Sequence, residues 1–175
     1  MPTPASYYQD AYHGQIFTAT AAAINSTVGT ATTYSGLLLT NPSTSNVNLV
    51  LMRVGISVTT PPAVPIVVGI MAASNTTAVT QGTAITPAST KITANSTTAS
   101  GLASSNGTIP ANATLRQIFG TLTSAANSTA PFVSNYYDLN DSMILCPGSF
   151  AALYTSAASN SNSVNASFMW SEVPR

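Results

Sequence analysis

Residues 46–73 read NVNLVLMRVGISVTTPPAVPIVVGIMAA. In the first part, Val50, Met52, Val54, Ile56 and Val58 occupy alternate positions and are all apolar, whereas Asn48, Arg53, Gly55 and Ser57 interrupt the other register. A period of two, rich in β-branched residues, predicts a strand with one face on a core. The TTPPAVP that follows cannot continue a central ladder, because a proline brings no N–H to it. Ile66 to Met71 is then apolar on both faces, which predicts a strand buried on both sides, inside a sandwich or against a neighbouring subunit. Two long strands around a proline-stiffened turn, paired as a hairpin, are the expected spine of an all-β domain.

Shorter strands are expected on either side. Gln15 to Ala23 alternates up to an Asn25-Ser26 turn, and Thr32 to Thr40 closes at Asn41-Pro42. From Ser74 to Ala113 the texture changes to Asn, Thr, Ser and Ala with isolated apolar residues, which suits short edge strands and long loops lying over a sandwich. ATLRQIFGTLT (113–123) fits two periods: Leu115, Ile118, Phe119 and Leu122 have helical spacing, whereas Leu115, Gln117, Phe119 and Thr121 share a strand face. Gly120 and the threonines favour the strand.

Phe132 to Leu139 leads through an Asn140-Asp141 turn to Met143–Cys146, and Pro147-Gly148 turns the chain into Phe150–Tyr154. In SVNASFMWSEVP (163–174), Val164, Ala166, Phe168 and Trp170 share one face of a closing strand. The sum is an antiparallel β-sandwich or jelly roll over residues 14–175, with long Ser/Thr/Asn-rich loops. Residues 1–13, bearing Tyr7, Tyr8 and Tyr12, are expected as an extended arm that lies across an adjacent subunit or on its own domain.

Composition narrows the function. Only 5% of the 175 residues are charged, the formal net charge is zero and Ser plus Thr number 49. So neutral a surface sets up little repulsion between copies, and the expected mode of work is packing against itself or another protein. Nucleic acid is not an expected partner, because the cations Arg53, Lys91, Arg116 and Arg175 are scattered and form no basic stripe. MPTPASYYQD has no signal-peptide pattern, no apolar run approaches a membrane span, and a soluble product is expected. Cys146 is alone, which excludes an intrachain disulfide and predicts a small buried thiol.

Chemistry is hard to assemble from these residues. His13 is the sole candidate base, with Asp10 nearby, but there is no G-x-S-x-G elbow. Asp10, Asp138, Asp141 and Glu172 could in principle supply a carboxylate pair, although turn and capping roles explain Asp138 and Asp141 more simply. Asp138–Ser142 groups oxygen ligands as a calcium loop does, without the central glycine or bidentate glutamate, so no metal is assigned. Eight Asn-x-Ser/Thr sequons reflect the composition. Trp170 is placed in the core rather than on a sugar-stacking platform, and Arg53 is expected to pair with a carboxylate of a neighbouring subunit, Asp138, Asp141 or Glu172. No enzyme activity and no cofactor are expected.

Taken in order, GLLLTNPSTSNVNLVLMRVGISV (36–58), VVGIMA (67–72), ILCPGSFAALYT (144–155) and FMWSEVP (168–174) resemble segments of tailed-phage virion proteins. The resemblance covers about a third of the chain and implies a jelly-roll or β-sandwich subunit of the head decoration (cement) type. It further implies a homotrimer bound to the major capsid protein on the capsid surface of a virion, after synthesis in the host cytoplasm. Tyr7, Tyr8, Tyr12, Arg53, Val67 and Met71 are the expected interface residues. A receptor-binding or fibre-tip module contacting a host glycan is the alternative.

Overall fold

A computed structural model describes residues 4–24, 33–58, 62, 64–74, 79–93, 98–110, 113–122, 134–158 and 164–175. The alternating segments form strands. In chain order, α1 (Pro4–Tyr12) precedes β1 (Ile16–Ile24), β2 (Thr33–Asn41), β3 (Val47–Val58), β4 (Ile66–Ser74), β5 (Thr83–Ile85), β6 (Ala88–Ser89), β7 (Leu102–Thr108), β8 (Thr114–Leu122), β9 (Ser134–Leu145), β10 (Ser149–Thr155) and β11 (Val164–Pro174). One sheet has the order β6-β1-β11-β3-β9 and the other β5-β7-β2-β10-β4-β8, with every pair antiparallel. Without the inserted β5, β6 and β7, the two sheets read β1-β11-β3-β9 and β2-β10-β4-β8, the winding of a jelly roll.

The inner faces close on one cluster that includes Phe17, Leu37, Leu39, Leu49, Leu51, Val54, Ile56, Ile70, Leu153, Phe168 and Trp170. Removal of this apolar area from water is the main term holding the sheets together. At one open side Phe119 of β8 stacks on Tyr137 of β9, with ring centroids 4.4 Å apart, joining the edges of the two sheets. Asn41 is fully buried and joins them again: its Nδ2 donates to the carbonyls of Val47 at 2.9 Å and Leu145 at 2.8 Å.

Several expectations are corrected. β3 and β4 are not a hairpin, since they lie in different sheets. β3 already has β11 and β9 on its two sides, which leaves no ladder position for β4. The alternation of β3 is also not continuous. A bulge at Met52 offsets its register against both neighbours. Leu49 and Leu51 face the core before it, and Val54 and Ile56 after it. One extra residue reverses the inward parity. Residues 134–145 form one strand, not two, and Asn140-Asp141 is a bulge in which both residues have positive φ, 48° and 56°. In it, the Asn140 N–H donates to Asp138 Oδ1 at 2.8 Å and Ser142 Oγ donates to the Leu139 carbonyl at 2.6 Å. Asn and Asp tolerate this left-handed backbone better than other non-glycine residues.

Residues 4–12 are a helix, where the sequence reading expected an extended arm. Its end is a Schellman turn: Gln15 N–H donates to the Asp10 carbonyl and Gly14 N–H to that of Ala11, with Gly14 at φ 72°. Cys146 is exposed rather than buried, because it sits at the β9–β10 turn just beyond the last inward residue, Leu145.

The second face of β4 is covered within the chain. Met71 and Ala73 pack with Tyr34, Leu38, Phe150, Ala152, Ile109 and Ala113 in a separate buried cluster. Tyr34 is fully buried there, and its hydroxyl lies 2.8 Å from the Leu153 carbonyl and 2.9 Å from that of Leu37. Desolvation raises its pKa well above the ordinary 10. Because the folded pKa is the higher one, the stabilisation is complete below about pH 10 and is lost as pH rises, when the unfolded chain ionises first. Alkaline unfolding followed by circular dichroism should therefore show a proton-linked slope above about pH 10 that Tyr34→Phe reduces by about one proton.

All four sheet edges are interrupted. β5 has three residues and β6 two. β9 carries the four-residue irregularity at 139–142, and β8 shifts register against β4 at two places. Short or bulged edges resist pairing with another chain.

Candidate functional site

The outer face of the five-stranded sheet has two halves. Cross-strand register places Thr18, Met169, Arg53 and Asp138 in one row, and Thr20, Ser167, Gly55 and Tyr136 in the next. Asn165 and Ser57 lie opposite each other one row further on. The first row runs beside α1; in the others Thr20 and Tyr136 are exposed and Ser57, Asn165 and Ser167 are half-buried.

Between α1 and this sheet is a groove of about 480 Å³. Ala11, Ile16, Met52 and Met169 make it apolar, while Arg53, Asp138 and Thr90 supply polar groups. The Met52 bulge thus has a positional consequence: the residue displaced from the inner face lines this groove. Two methionines give it a soft, adaptable wall. Tyr8, 70% exposed, forms part of its rim and stacks on Tyr12 with centroids 6.1 Å apart. Tyr12 in turn meets His13 edge-on, and Lys91 Nζ sits 4.9 Å above its ring. A cation over a tyrosine face pins the end of α1 to the turn after β6.

Arg53 Nη2 lies 3.5 Å from Asp138 Oδ2, and the two side chains are 52% and 47% exposed. Asp138 is one of the three carboxylates expected for Arg53, but it belongs to the same chain and not to a neighbouring subunit. So exposed a pair is worth at most about 1 kcal/mol. Arg53→Ala is accordingly expected to shift the unfolding free energy by less than about 1 kcal/mol, as read from urea denaturation.

The other anticipated residues are dispersed. Tyr8 and Arg53 meet in the groove, and Tyr12 is next to it. The Tyr7 side chain is outside the described residues. Val67 is half-buried on β4, where its N–H donates to Ser156 Oγ at 2.8 Å. Met71 is fully buried, so it offers nothing to a neighbour. Trp170 is in the core as expected. Among the described residues, no three of His, Cys, Asp and Glu come together as a metal site.

Sequence reasoning named Glu172 only among the scattered carboxylates and missed its buried anchoring role. This carboxylate, 8% exposed, accepts from Ser100 N–H at 2.8 and 3.0 Å, from Gly101 N–H at 2.9 Å and from Trp170 Nε1 at 3.3 Å. It anchors the segment entering β7 to the end of β11. Its parity, shared with Phe168 and Trp170, is the signal in the sequence that sets it apart from a surface acid.

No family model, curated protein or solved structure matches this chain.

Proposed function

We propose that this protein is a structural subunit of a tailed-phage particle that binds the capsid surface as a head decoration protein. The observation that carries the reading is the apolar groove beside α1, rimmed by Tyr8, on a molecule with few charges. Its occupant is an apolar segment of the major capsid protein. Tyrosine at the rim supplies contact area at low entropic cost, and methionine walls adapt to the inserted side chains. Repetition over a lattice multiplies a modest single-site affinity. The role is binding rather than turnover. The homotrimer belongs to this proposal too, but not through β4, whose outer apolar face its own chain covers.

Cosedimentation with expanded capsids tests it, together with light scattering for the oligomer. The wild-type protein should pellet with capsids, and Met169→Glu combined with Tyr8→Ala should weaken binding roughly tenfold or more with little change in thermal midpoint. Wild-type protein that stays monomeric at micromolar concentration and ignores capsids overturns the proposal.

A further inference from the structure

The half of the five-stranded sheet away from α1 has a different chemistry from the groove. Thr20, Ser167, Gly55 and Tyr136 lie side by side on four adjacent strands, and Ser57 and Asn165 lie in the row beyond. Together with the β3 and β11 backbone these residues bound a shallow depression of about 100 Å³. Strands about 4.8 Å apart and same-face residues about 6.8 Å apart make this a lattice of hydroxyl and amide groups.

Tyr136 stands at one end of the row. A Cβ added to Gly55 would come within 3.3 Å of Tyr136 Cε1 and 2.4 Å of Ser167 Oγ. The glycine therefore lets the ring lean over the sheet and leaves Ser167 room beside it. Despite that contact Tyr136 is 75% exposed. An aromatic ring is thus held beside a patch of small polar groups, with most of its surface in water.

No charged residue belongs to these rows; the adjacent row contains Arg53 and Asp138, which pair with each other. An ionic ligand would find no unpaired counter-charge in the patch. A greasy peptide would find hydroxyls where it needs apolar area. A neutral saccharide offers what both features accept, an apolar C–H face for the ring and hydroxyls that exchange hydrogen bonds with Ser and Thr. The depression is too small to enclose a ligand, which suits a sugar chain lying along the sheet.

We propose that Tyr136, with Thr20, Ser57 and Ser167 around Gly55, forms a shallow binding platform for neutral oligosaccharides. It stands on observations separate from the groove beside α1, so either proposal can fail alone. A carbohydrate contact on this face would let a particle-bound subunit hold glycan-bearing surfaces while the groove is occupied.

The test is saturation-transfer NMR on the full chain with neutral oligomers of glucose, galactose and N-acetylglucosamine, and with a polygalacturonate oligomer as the acidic comparison. At least one neutral oligomer should bind and the acidic one should bind more weakly. Tyr136→Ala should reduce that binding roughly tenfold or more. Ser167→Glu, which places charge in the patch without touching the ring's attachment, should do the same. Both variants should keep the wild-type circular dichroism spectrum, and the Met169→Glu groove change should leave sugar binding intact. Absence of binding to every neutral oligomer, stronger binding of the acidic one, or binding unaffected by Tyr136→Ala overturns the platform.

Discussion

Trp170→Ala is expected to lower the unfolding free energy by about 3–5 kcal/mol, a large fraction of the 5–15 kcal/mol typical of a domain. Trp170 has no exposed surface, faces Leu51 across the β3–β11 ladder and lies 6.1 Å from the Phe17 ring. Removing the indole leaves a cavity at the point where β1, β3 and β11 meet, and the close-packed sheets can only partly collapse into it. It also takes away one donor to Glu172. Trp170→Phe keeps most of the apolar volume and should lose much less. Urea denaturation followed by circular dichroism measures both, since the chain's single tryptophan is the residue removed. A loss below about 1 kcal/mol for the alanine variant would mean that the core is not built around this ring.

Glu172→Leu should cost about 2–4 kcal/mol, although leucine is the more apolar residue at a buried site. The carboxylate accepts both backbone N–H groups of Ser100 and Gly101 as well as the indole, and leucine leaves these donors unpaired in a place water reaches poorly. Glu172→Gln retains one acceptor oxygen and should lie between wild type and leucine. The local consequence is more telling than the global one: amide exchange at Ser100 and Gly101 should accelerate first, because the carboxylate that accepts from them is gone. Combining Glu172→Leu with Trp170→Phe should be less than additive, because the second change removes a donor the first has already orphaned. Equal exchange rates in wild type and Glu172→Leu would contradict the anchoring role.

Much of the architecture is legible in local patterns. The closing strand is a case where periodicity was sufficient, because Val164, Ala166, Phe168 and Trp170 keep one parity from end to end. In β8, Gly120 and the threonines outweighed a helical spacing that was equally good on apolar positions. The central stretch shows the limit. A bulge leaves no mark in a sequence where residues 49–52 are apolar at every position, so either parity looks acceptable there, and the even one holds only after the bulge, at Val54 and Ile56. Which strands pair is a non-local property, and nothing in TTPPAVP distinguishes a hairpin turn from a crossing between sheets. The helix was recoverable, since Pro4 opens it and Gly14 follows its end, the usual asymmetry of helix termini. It was obscured by reading prolines and tyrosines as signs of an arm.

The candidate groove was visible only in fragments. Tyr8 is singled out as a tyrosine of an N-terminal arm and Arg53 as a charge in an apolar strand, each separately. Their meeting depends on α1 folding back over the sheet, and Met52 enters only because the bulge turns it outward. Met71 failed for the opposite reason. Its apolar second face was read correctly, but the cover comes from Ile109 and Ala113, distant in sequence and sparse in apolar neighbours.

The interrupted margins of both sheets bear on how such a molecule tolerates crowding. A chain with no net charge has little electrostatic defence against self-association, and β proteins at high local density are prone to fuse strand to strand into fibres. Here two rims are too short to template a new strand and two are kinked out of register. Many copies can therefore sit shoulder to shoulder and touch by their faces, remaining separate bodies rather than zipping into one continuous ribbon.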